Sequence, residues 1–354
     1  MAVALAATLL WLIAAAPASG AATVRNYNLG GTTVADPGPE GPLPVRLWGV
    51  IGVPDGAGPH PLVVVAHGRH GDNCPRLPGS TPRFEWPCYD REQRNDYGLR
   101  HIVRALAGRG VAAIAPDLNG AFTFGWGPAA DERRWPRIVD RTLSEVARDV
   151  REGGSRFGVP LGGRIDLTRI GLLGHSRSGR HVVRFARSRA DDTSHAEVAA
   201  GQGPIEALLP LAPVYRGAGL SGRAPLPDLT TAIVLSRCDG DVPRQGRRYF
   251  TQAEKDENRS EPVFLVRLEH ANHNYYNRTL SDIGQDDGNF SGQPGCGKRE
   301  RLKPAAQQRW IDKLASSFFA ATLGGARSPS WMRPHGPPPK LLYGLPVAYD
   351  RFVP

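Results

Sequence analysis

Between Arg169 and Val183 the chain reads RIGLLGHSRSGRHVV, an apolar run that stops at Gly174-His175-Ser176-Arg177-Ser178-Gly179 and then turns basic and helix-like. A serine with small residues two places before and two places after it fits a sharp strand-to-helix turn, where bulk would collide with the backbone. A serine hydroxyl attacks a carbonyl only if an imidazole takes its proton, and that imidazole needs a carboxylate to fix its tautomer. Both are present downstream. The stretch RCDGDVP offers Asp239 and Asp241, and EHANHNYYN offers His270 and His273. Two backbone N–H groups are also needed to hold the oxyanion. Arg177, directly after the serine, and Arg69 in AHGRHG, directly after Gly68, are the expected donors. His67, His70 and His175 are expected to shape this loop and turn without transferring protons.

These groups meet only if the ends of several strands lie on one edge of a sheet. From about residue 23, short apolar runs alternate with amphipathic segments, the pattern of an α/β fold with a mainly parallel sheet. Strands are predicted at 45–53, 61–68, 111–116, 169–175, 206–213, 231–236 and 262–270, several almost continuous in Val, Ile and Leu, as strands covered on both faces should be. Helices are predicted at 98–108, 137–152, 178–189, 245–255 and 304–322. The second places Ile138, Leu143, Val146 and Val150 along one side, and the last has Pro304 in its first turn. The serine, the acids and the histidines then all follow strand ends, where an open parallel sheet collects its functional groups. Residues 1–22 are expected to form a signal peptide, 23–324 one catalytic domain, and 325–354 a proline-rich, loosely docked tail. An uncleaved anchor is the alternative for the first segment, because no Lys or Arg precedes its apolar run.

Composition narrows the remaining classes. Of 354 residues, 40% are hydrophobic and 22% charged, ordinary values for a chain with a sizeable core. The net charge is +10, and only five of the 44 basic residues are lysine. The basic residues are dispersed and no nucleic-acid-binding motif accompanies them, so no nucleic-acid partner is expected. No stretch after the signal reaches membrane-spanning length. The four cysteines, Cys74, Cys88, Cys238 and Cys296, suit an oxidising compartment, secreted or periplasmic. Three pairings are possible. Cys74 with Cys88 closes a short loop, contributing about 3 kcal/mol on the chain-entropy estimate, and leaves Cys238 with Cys296. A zinc site is disfavoured, since no close CxxC or paired-His spacing occurs.

The set LVVVAHGRHGDNC, GHSRSG, CDGDVP and ANHNYYN resembles the α/β-hydrolase superfamily, and within it the secreted bacterial serine hydrolases related to esterases, lipases and cutinase-like enzymes. The resemblance spans roughly residues 45 to 322. It implies an α/β-hydrolase fold with a mostly parallel eight-stranded sheet and helices on both faces, a Ser-His-Asp triad, and neither cofactor nor metal. In these relatives the acid stands three residues before an apolar residue and a proline, which favours Asp239 ahead of Val242-Pro243. Position 178 usually carries glycine in the family and here carries Ser178.

His273, in a loop, is preferred to His270, still within a strand pattern. Phe122, Phe124, Trp126 and Tyr275 are candidate walls of a substrate pocket. The short interval between the strands ending near 213 and beginning near 231 points to an open cleft. The expected function is hydrolysis of a small-molecule or polymeric carboxylic ester through an acyl-enzyme. An amidase or peptidase with the same triad is the alternative within catalysis, and a non-catalytic binding protein on the same fold is the alternative outside it.

Overall fold

The computed structural model describes residues 20–36, 38, 41–70, 74, 86–88, 92–122, 130–191, 201–217, 220, 222–287 and 293–354. The runs rich in Val, Ile and Leu become the central strands, and most of their residues are buried on both faces. In chain order the elements are β1 (Ala22–Val34), β2 (Leu43–Pro54), β3 (His60–Ala66), α1 (Arg100–Ala107), β4 (Ala112–Pro116), α2 (Ala130–Glu152), β5 (Ile165–His175) and α3 (Arg177–Asp191). They continue with β6 (Ile205–Leu211), β7 (Thr230–Cys238), α4 (Arg247–Ala253), β8 (Val263–Asn272), α5 (Arg278–Asp282), α6 (Pro304–Thr322), β9 (Leu341–Leu342) and β10 (Leu345–Phe352).

The sheet order is β1-β2-β4-β3-β5-β6-β7-β8-β10-β9. Neighbours from β4 through β3, β5, β6 and β7 to β8 run parallel. The pairs β1–β2, β2–β4, β8–β10 and β10–β9 are antiparallel. The sheet is therefore mixed and ten-stranded, which corrects the expected mostly parallel sheet of eight. The surplus comes from the C-terminal stretch, read from its prolines as loosely docked. Past Pro339, Leu345–Phe352 alternates enough to bury Val347 and Tyr349, and it pairs with the edge of β8.

Helices cover both faces. Ile102 and Leu106 of α1 pack with Trp310, Ile311 and Phe318 of α6 on one side. Trp135 and Leu143 of α2, Val182 of α3 and Phe250 of α4 fill the other. Helix α2 begins at Ala130, ahead of the predicted 137, and carries Pro136 inside it. All five parallel pairings put strand carboxyl ends on one edge, where β3, β5, β7 and β8 deliver the residues singled out above. Two disulfides join Cys74 to Cys88 and Cys238 to Cys296, the pairing expected from loop length.

Candidate active site

Ser176 sits between the last residue of β5 and the first of α3, with φ at 57°, a left-handed conformation that an L residue adopts only when its surroundings impose it. The crowding is measurable. A Cβ added at Gly174 would lie 2.3 Å from the Ser178 carbonyl oxygen, and one at Gly179 would lie 2.7 Å from Pro213 Cβ. Glycine is required at both. The Ser176 N–H donates to the Leu211 carbonyl at 2.8 Å, and the Ser176 carbonyl accepts from Gly179 and Val214, so the turn is locked to the end of β6. Ser178 contributes more than small size here. Its buried hydroxyl donates to the His67 carbonyl at 2.5 Å and accepts from Trp135 Nε1 at 2.9 Å, tying the turn to the loop after β3.

That loop packs directly on the serine. A Cβ at Gly68 would fall 2.7 Å from Ser176 Cβ, so the backbone leading into Arg69 runs against the nucleophile candidate. Arg177 opens α3, where backbone N–H groups face outward from the helix end. Its guanidinium pairs with Asp131, which His181 also approaches at 3.5 Å. Burial raises the Asp131 pKa, but the His181 and Arg177 contacts override it and hold the carboxyl well below the usual range.

His273 and Asp239 are brought together. His273 Nδ1 lies 2.8 Å from Asp239 Oδ2, and both residues are buried. The other Asp239 oxygen accepts the N–H groups of Asp241 and Val242 at 3.0 and 2.7 Å, so the carboxylate is held by its own loop. Asp241, with a side chain 60% exposed, approaches Nε2 instead, at 3.5 Å. The two acids left open by spacing thus flank opposite nitrogens of one ring. Among the described residues His273 Nε2 has no hydrogen-bond partner, the Ser176 hydroxyl included. The turn and the histidine loop are joined next to the serine: His175 Nε2 bonds the His273 backbone carbonyl at 3.0 Å, and the two rings are 4.8 Å apart. His270 is not part of this group, since its Nδ1 bonds the Gly295 carbonyl at 2.8 Å.

A third carboxylate, Asp287, escaped the sequence reading. One of its oxygens accepts the backbone N–H groups of Gly240 at 2.7 Å and His273 at 3.1 Å, and the other accepts from the Asn272 side chain. It therefore clamps the acid loop to the histidine loop. Burial raises the Asp287 pKa to about 7, with His273 pulling down and Asp239 pushing up. For His273, burial would lower the pKa, but Asp239 first, then Asp241 and Asp287, raise it to about 9. Among the described residues His70 and His175 have no carboxylate beside them, and burial holds both well below the ordinary imidazole value.

The pocket candidates divide. Phe122 is buried, edge-on to His67 and stacked near His181, and so supports the site from behind. Tyr275 is half-buried beside the histidine loop. Phe124 and Trp126 lie outside the described residues. No group of three or more His, Cys, Asp or Glu suited to a metal ion occurs among the described residues.

No protein-family model and no curated protein matches the sequence. Among solved structures, the chain is similar to a Pyrobaculum calidifontis esterase in a monoclinic crystal form, at 14% identity and a TM-score of 0.48, covering 85% of this chain and 86% of that one. A structure titled as the hyperthermophilic esterase of the same archaeon gives 13% identity, a TM-score of 0.48 and the same coverage.

Proposed function

We propose that the protein is a serine hydrolase of the α/β-hydrolase type that cleaves carboxylic esters through an acyl-enzyme. The observation that carries this is the conjunction of a left-handed Ser176 at a strand-to-helix turn with a buried Asp239–His273 hydrogen bond on the same sheet edge. Ser176 attacks the carbonyl carbon while His273 Nε2 takes the hydroxyl proton and returns it to the leaving alkoxide. Asp239 holds the ring proton on Nδ1 and steadies the imidazolium. The amides of Arg69 and Arg177 receive the oxyanion. Water, activated by the same imidazole, then releases the acid and restores the serine. Catalytic hydrogen bonds commonly shorten only when substrate is bound, which accommodates the Nε2 geometry.

The disulfides and the apolar first segment support export through a cleaved signal; residues 1–19 lie outside the described residues, and no helix among those described is long and apolar enough to cross a membrane. The test is turnover of p-nitrophenyl acetate. Wild type is expected to hydrolyse it, and Ser176→Ala to lose at least about a thousandfold in kcat. Equal rates in the two proteins would refute the assignment.

A further inference from the structure

On the same carboxyl edge, the loops after β6 and β7 enclose a groove of about 580 Å³ whose lining includes Tyr215, Arg216, Arg223, Arg244, Arg247 and Arg248. Among the described residues one carboxylate reaches this set: Asp350, 3.1 Å from Arg247. The other four guanidiniums form no ion pair or side-chain hydrogen bond with the described residues, although those of Arg216 and Arg248 lie over the Tyr215 ring at 5.8 and 5.4 Å.

The loop that carries Tyr215 and Arg216 into the groove is held in place by hydrogen bonds. Gln245 Oε1 accepts the N–H groups of Tyr215 and Arg216 at 2.9 and 3.0 Å, Gln252 Nε2 donates to the Tyr215 hydroxyl at 2.7 Å, and the Tyr249 hydroxyl donates to the Val214 carbonyl at 2.9 Å. The same loop touches the backbone of Ser176, because Val214 N–H bonds the Ser176 carbonyl at 3.1 Å. A Cβ at Gly217 would lie 3.5 Å from the Arg177 guanidinium.

Five guanidiniums against one carboxylate leave an excess of like charge in one concavity, which raises the local potential for anions. Guanidinium forks match the two oxygens of a carboxylate or phosphate. We propose that this groove is an oxyanion subsite beside the active site, so that the preferred esters carry a negative group on the part of the molecule that reaches the arginines. The proposal rests on the hydrolase reading above and deepens it. A polymer with repeated charges would engage several of the arginines at once.

Two esters of matched chain length test it: p-nitrophenyl hexanoate and the p-nitrophenyl monoester of adipic acid. The readout is the ratio of their kcat/KM values, which a general loss of folded protein does not change. Wild type is expected to favour the anionic ester by about tenfold at low salt, with the preference fading at about 0.5 M NaCl. The combined variant Arg223→Gln, Arg244→Gln and Arg248→Gln should bring the ratio near one. A wild-type ratio at or below one, or the same ratio in the variant, overturns the proposal.

If neither ester is cleaved and Ser176 takes no covalent label, the hydrolase reading falls separately. The groove is then judged by direct titration with polygalacturonate, inorganic polyphosphate and uncharged dextran. Binding of either polyanion that weakens about tenfold in the triple variant supports the oxyanion site, and the two probes separate carboxylate from phosphate as its source. Binding that is absent, equal in both proteins or matched by dextran overturns it.

Discussion

In the proposed mechanism, His273 sets the pH behaviour of the site. The reaction needs the neutral ring, and with a pKa raised to about 9 most molecules at neutral pH hold the imidazolium. We expect kcat/KM to climb about tenfold per pH unit below that value and level off above it. Asp287→Asn removes one of the negative charges that raise the pKa, so the inflection should move to lower pH; a stopped-flow pH profile reads the shift. An unmoved inflection would show that Asp287 acts as a clamp alone. The same raised pKa favours folding below the unfolded value of 6.5 and stops doing so as pH passes about 9.

The flanking acids give a second prediction at this scale. Asp239→Asn should cost about 10³–10⁴ in kcat by stabilising the wrong tautomer, whereas Asp241→Asn, on an exposed side chain, should cost far less. The placement of Ser176, Asp239 and His273 at strand ends was legible because each follows an apolar run and stands beside glycine, proline or polar turn residues. Asp287 was not, since QDDG is a polar loop whose two adjacent acids carry no periodicity that separates clamp from surface charge.

At the level of elements, the strand-to-helix turn of β5 and α3 is held by what surrounds it. Ser178→Ala leaves Trp135 Nε1 and the His67 carbonyl without their shared partner, at a cost of about 1–3 kcal/mol measurable by urea unfolding. Ser178→Gly should cost at least as much, because it removes the same hydroxyl. The Cys238–Cys296 bridge ties the end of β7, one residue before Asp239, to the segment ahead of α6. Replacing both cysteines by serine releases a 58-residue separation and should cost up to about 4 kcal/mol on the chain-entropy estimate. Helix α6 was readable at both ends, from Pro304 at its first position to the loss of periodicity after Thr322. Strand β1 was not, because VRNYNLGGTTV mixes polar and glycine residues at the sheet's outer edge, where one face stays wet.

The described residues form a mixed sheet with one helical layer on each face and the candidate site on one edge. The parallel centre was legible from unbroken apolar strands. The C-terminal closure was not, because its prolines and exposed residues mask a short alternating strand. Strand β10 covers the β8 edge, and Trp310 Nε1 bonds the Leu342 carbonyl at 2.8 Å. Deleting residues 341–354 should therefore expose a hydrophobic strand edge and promote association, visible as increased light scattering on concentration.

The central claim is that the Ser176 hydroxyl is activated by the imidazole held on Asp239. The most direct measurement is intact mass and peptide mapping after treatment with a fluorophosphonate. The account predicts one adduct per chain, located on Ser176, and strongly slowed labelling in His273→Ala. An unlabelled native protein, or an adduct on another residue, would contradict it.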